Sequence, residues 1–137
     1  MNLSDANHAY FHGDYSTAFK LYGKLAEQGN ADAQYRLGRM YDEGIGVSQD
    51  YKQAVLWFAK AAEQGDTKAQ NCLGLMYTEG EGVLQDYIKA HMWQNIASAS
   101  GEEDARTNRD KVAGMMTQEQ IAEAQELASE WMEKHQQ

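Results

Sequence analysis

The sequence has no proline and a single cysteine, Cys72. One thiol excludes an internal disulfide framework. Without proline, helices can run unbroken, and chain reversals fall to other residues. Positive charge is scarce: 12 Lys and Arg stand against 21 Asp and Glu, a formal net charge of −9. That balance argues against a nucleic-acid partner and an anionic membrane surface, because phosphates are repelled over most of such a surface. No apolar run approaches the roughly 18 residues of a spanning helix, so membrane insertion is not expected. The opening Met1-Asn2-Leu3-Ser4-Asp5 lacks the basic and apolar regions of a secretion signal. The expectation is therefore the cytoplasm, or the periplasm if a leader has been cut away.

What is present is a hydrophobic content of 42% over 137 residues, enough for a core. There are also 12 glycines, and all but Gly23 and Gly114 follow one register. Ala26-Glu27-Gln28-Gly29 recurs 36 residues later as Ala62-Glu63-Gln64-Gly65, and Ser100-Gly101 shares the phase. Gly38 matches Gly74, and Tyr41-Asp42-Glu43-Gly44-Ile45-Gly46-Val47 matches Tyr77-Thr78-Glu79-Gly80-Glu81-Gly82-Val83. Asp50-Tyr51, Ala54 and Trp57 match Asp86-Tyr87, Ala90 and Trp93. Such a period marks a stack of small supersecondary units. Asp14-Tyr15 and Ala18 extend the register backward, but the first unit lacks a counterpart of residues 45–49 and turns tightly through Gly13-Asp14.

Each unit reads as two helices. Ala33, Leu37, Gly38 and Tyr41 recur at helical spacing, as do Ala54, Trp57, Phe58, Ala61 and Ala62. Helices are expected at 3–12, 15–28, 31–43, 51–64, 67–79, 87–99, 103–115 and 118–134. Gly29, Gly65 and Gly101 suit a left-handed position after a helix. Asn30, Asp50, Asp66 and Asp86 suit N-caps, Glu102 suits the positive end of the next helix, and Thr117 with Gln120 forms a capping-box pattern. Gly38 and Gly74 are mid-helix and call for close approach of a neighbour, with Trp57 or Tyr41 expected across the missing side chain.

These residues resemble the Sel1-like repeat (SLR) family, a relative of the tetratricopeptide repeat. Ala31, Ala33, Gln34, Leu37, Gly38, Tyr41, Gly44, Gly46, Val47, Asp50, Ala54, Trp57, Ala61, Ala62 and Gly65 carry the likeness. The second copy runs from Ala69 through Gly74, Tyr77, Gly80, Gly82, Val83 and Trp93 to Gly101. The first unit, 1–29, is closer to a plain tetratricopeptide repeat; 30–65 and 66–101 are full repeats, and 102–137 is a partial repeat with a capping helix, all in one repeat domain. Ile121, Ala124, Ala128 and Trp131 line one face of that cap. The resemblance implies an all-α, right-handed α/α solenoid, of a compact kind seen in bacterial chains, that acts as a protein-interaction scaffold. It implies no reaction. Some secreted members with paired cysteines are linked to peptidoglycan-related ligands, and a chain with Cys72 alone departs from that subgroup.

Candidate chemistry is thin. His8 and His12 stand four apart, a spacing that can hold a metal on a helix, but no third ligand is near in sequence. Cys72 has no recognisable base beside it. Gly44-Ile45-Gly46 links two helices, whereas phosphate-cradling loops follow a strand. The Glu residues of 118–134 read as a solvated face, which could also attract a basic partner. Tyr10, Tyr41, Tyr77, Trp57 and Trp93 sit at repeat-fixed positions and read as core. No catalytic residue, cofactor or metal is expected.

Binding is expected along the first helices of the repeats, which line the concave side of such solenoids. Tyr35, Arg36, Arg39 and Met40, then Asn71, Leu75 and Met76, then Asn108 and Lys111 form the candidate stripe. Arg36, Arg39 and Lys111 would read carboxylates, while Tyr35, Leu75 and Met76 supply apolar contact. The expected function is a non-catalytic adaptor that binds a partner protein or peptide in this groove. The alternative is a small-molecule or cell-wall ligand-binding module with weak hydrolytic activity. Self-association through exposed ends is a third, weaker option.

Overall fold

The computed structural model describes residues 2–136. Among them lie eight α-helices and no strand: α1 (Leu3–Phe11), α2 (Tyr15–Glu27), α3 (Ala31–Glu43), α4 (Tyr51–Glu63), α5 (Thr67–Glu79), α6 (Tyr87–Ala99), α7 (Glu103–Ala113) and α8 (Gln118–Lys134). They fall into two compact units. Met1–Asp66 carries α1 to α4, and Thr67–Gln137 carries α5 to α8.

Helix starts are set by side chains that satisfy orphan amides. Asp14, Asp50 and Asp86 accept from the backbone N–H three residues on, at 3.1–3.3 Å, and Asn30 accepts from Ala33 at 2.8 Å. Thr117 and Gln120 form the reciprocal capping box of α8. Glu102 makes no side-chain cap bond, and its carboxylate lies only near the positive end of α7. Helix ends repeat as well: Gly29, Gly65 and Gly101 all take φ 96°, a left-handed conformation that a side chain resists.

In the first unit α1 packs on α2, α2 on α3, and α3 on α4. Small residues (Ala6, Ala9, Ala18, Ala26 and Ala33) let these helices approach closely around Tyr22, Leu37, Met40 and Phe58. An amide chain ties them: Gln34 Nε2 donates to the Ala26 carbonyl at 3.1 Å, and Gln64 Nε2 donates to Gln34 Oε1 at 2.8 Å. Satisfied in this way, Gln34 can sit in the interior without the cost of an unpaired amide. The Tyr22 hydroxyl donates to Asn7 Oδ1, and burial holds that phenol above its ordinary pKa.

The close approach at the mid-helix glycines differs from expectation. A Cβ on Gly38 would lie 2.7 Å from two ring carbons of Phe58, and one on Gly74 would lie 2.5 Å from Gln94 Cγ. Phe58 and Gln94 thus occupy the positions assigned to Trp57 or Tyr41. The residue after each tryptophan is turned about 100° around the helix, toward the preceding one. Trp57, Tyr41, Tyr77 and Tyr10 are only half-buried, whereas Trp93 is buried.

The second unit packs α5 on α6, then α6 on both α7 and α8. Ala69, Leu73, Ala90, Ile96, Ala97, Ala105 and Val112 are buried. The cap helix α8 seals α6 through Ala124 and Ala128, and Trp131 meets Trp93 edge to face with ring centres 5.7 Å apart.

Candidate functional site

Six of the nine stripe residues line two pockets, one in each unit. In the first unit Tyr35, Arg36 and Arg39 of α3 join Tyr10 of α1 and Glu43 around a small cavity of about 130 Å³. Its charges are already engaged. Arg39 Nε donates to Glu43 Oε1 at 2.8 Å, Arg39 Nη1 donates to the Tyr35 hydroxyl at 3.0 Å, and Arg36 Nε lies 3.5 Å from Asp32 Oδ1. Burial alone would lower the Arg39 pKa, but its bonds to Glu43 and Tyr35 outweigh that and raise it, so the guanidinium stays charged. Tyr35 is mostly covered, with its ring 6.1 Å from that of Phe58.

In the second unit Leu75, Asn108 and Lys111 meet in a cavity of about 230 Å³, together with Thr78, Glu79, Val112, Met115 and Gln94. Asn108 Nδ2 donates to Asn71 Oδ1 at 3.1 Å, which ties α7 to α5. Leu75 is 37% exposed and Met115 half-exposed. Gln94 is the unusual member. It is fully buried, yet neither Oε1 nor Nε2 has a hydrogen-bond partner. An unpaired buried amide costs about 1–3 kcal/mol.

Two stripe residues are corrected. Met40 is 1% exposed and Met76 3% exposed, and neither lines either pocket. Each follows the packed leucine of its helix, Leu37 or Leu73, by three residues, a spacing that returns to the same face. Gln94 was missed because it lies on a second helix of a repeat. Its signal was in the register: Tyr22 and Phe58 hold the equivalent position, and Gln94 replaces their rings with an amide.

The other candidates have local roles. His12 Nδ1 lies 2.9 Å from the His8 carbonyl oxygen at the end of α1, and the two ring centres lie 4.0 Å apart with the planes tilted by 32°. Among the described residues no group of three His, Cys, Asp or Glu is placed to hold a metal ion. Cys72 is half-buried on α5. Among the described residues no helix is long and apolar enough to cross a membrane.

Comparison with known proteins supplies a family. Residues 2–30, 31–66 and 67–102 each match the Sel1 repeat. The chain is similar to the crystal structure of c5321, a protective antigen present in uropathogenic Escherichia coli strains and displaying an SLR fold: 34% identity, TM-score 0.89, over 95% of this chain and 29% of that one. It is also similar to a Sel1 repeat protein from Oxalobacter formigenes, with 37% identity and TM-score 0.69 over 71% of this chain and 28% of that one. The chain therefore spans less than a third of the length of either relative. No curated protein matches it.

Proposed function

Because the chain belongs to the Sel1 repeat family, with the all-α SLR solenoid fold, we propose that it is a non-catalytic scaffold that holds a partner polypeptide against the first helices of its repeats. Sel1 repeats generally serve protein interaction, and the SLR fold is typically non-enzymatic. The unpaired Gln94 amide beside Asn108 and Lys111 carries the reading. A carboxamide offers one acceptor and two donors, the complement of a peptide group. Leu75 and Met115 supply the apolar contact beside it, and Lys111 pairs with a partner carboxylate. At about 230 and 130 Å³, both cavities are smaller than usual small-molecule sites, and they suit single side chains or a strand of backbone.

Gln94→Met tests this. It keeps the side-chain length and removes the unpaired polar atoms. The variant should be more stable than the wild type by about 1 kcal/mol and should capture its partner about tenfold more weakly. Capture that is unchanged while stability rises would refute the role given to Gln94.

A further inference from the structure

A larger cavity, about 610 Å³, lies in the first unit on a different face, between α2 and α4 above α3. Phe19, Leu21, Leu37, Tyr41 and Trp57 line it, and Phe19 and Tyr41 pack edge to face at 5.5 Å. Its origin is a break in the repeat. Leu21 stands where the later repeats have Trp57 and Trp93, and Gly23 stands where they have Ala59 and Asn95. The lost ring and the missing side chain open the cleft. Gly23 has no packing reason of its own, for nothing lies within 4 Å of where its Cβ would be. A mid-helix glycine of this kind costs about 1 kcal/mol against alanine.

The rim is cationic in an acidic chain. Lys20 and Lys24 of α2 border the cavity one helical turn apart, and Lys60 Nζ sits 4.6 Å from the centre of the Trp57 ring. Neither Lys20 nor Lys24 has an ion pair among the described residues; Glu27 is the one carboxylate on the rim. Two ammonium groups spaced by a turn match two carboxylates spaced by a turn of another helix, about 5.4 Å.

We propose that this cleft docks an acidic amphipathic helix from another protein, with bulky apolar side chains entering between Phe19, Tyr41 and Trp57 and carboxylates meeting Lys20 and Lys24. This is helix-in-groove recognition, separate from the first-helix pockets.

The test is selection of a displayed library of random 16-residue peptides on the full chain, followed by binding of individual synthetic winners. The expected winners carry bulky apolar residues at helical spacing flanked by Asp or Glu. Gly23→Leu fills the cleft and favours the helix, so it should keep or raise the melting temperature while weakening these peptides at least about tenfold. Lys20→Glu with Lys24→Glu should weaken them about tenfold at low salt, less so at high salt. Gln94→Met should leave them unchanged, so failure here is distinct from failure of the first-helix site. Winners that are basic or uncharged, winners indifferent to Gly23→Leu, or no winners at all would overturn the proposal. So would a wild-type dimer that Gly23→Leu dissociates, which would make a second copy the occupant.

Discussion

Two mid-helix glycines in one unit should respond to the same substitution with opposite signs. In Gly23→Ala the new methyl meets open space, so only helix propensity acts and stability should rise by about 1 kcal/mol. In Gly38→Ala the same gain is opposed by a contact. The methyl would lie 2.7 Å from Phe58 Cδ1 and Cε1, against about 3.5–4.0 Å for relaxed carbons. Phe58 is fully buried and its ring cannot swing aside into solvent. Overpacking of that kind costs about 1–3 kcal/mol, and complete loss of the Phe58 packing would cost about 3–5. Set against the gain of about 1 kcal/mol, the net expectation is a loss of up to about 2 kcal/mol. The two variants should then differ by about 1–3 kcal/mol, or about 3–15 °C in melting temperature for a chain of this size. Thermal and urea unfolding followed by far-UV circular dichroism would measure it. Adding Phe58→Leu to Gly38→Ala should recover part of the loss, because the two sites share one contact. Equal gains at both glycines would refute the close approach of α4 to α3.

His91 should make stability depend on pH. Burial first, and then the nearby Arg109 guanidinium, hold its pKa below the ordinary 6.5, while Asp110 pulls weakly the other way. A lowered folded value means that the unfolded chain binds the proton first, so stability is full above 6.5 and is lost as pH falls from there toward the folded value. Wild type should lose stability against His91→Val over that window, and parallel pH profiles of unfolding would contradict it. Arg39→Ala should cost about 0–1 kcal/mol, because its partner Glu43 is a half-exposed neighbour on the same helix. A larger loss in urea unfolding would mean that the Tyr35 contact matters more than the ion pair.

The helices were legible to within a residue or two because caps and glycines are local signals: Asp50 and Asp86 start helices in both repeats, and Gly65 and Gly101 end them. Which side chain crosses a helix pair was less legible. Periodicity placed Trp57 and Phe58 on one broad apolar face, and only the crossing geometry gives Gly38 to Phe58 and leaves Trp57 beside a cleft. Met40 and Met76, equivalent positions of the two repeats, were assigned to the stripe by their place on the first helices, while their three-residue spacing from Leu37 and Leu73 already pointed inward. The readable but unread signals were departures from register: Gln94 among rings, Leu21 among tryptophans, and Gly23 alone.

The claim that matters most is that a polypeptide lies against the second unit at the pocket of Leu75, Gln94 and Lys111. A photoreactive phenylalanine analogue placed at Leu75 tests it in the producing cell, with the same analogue at Glu126 on the exposed side of α8 as reference. The account predicts a discrete adduct to another polypeptide from position 75 alone, lost when Lys111→Glu is added. Equal labelling from both positions, or an adduct indifferent to Lys111→Glu, would contradict it.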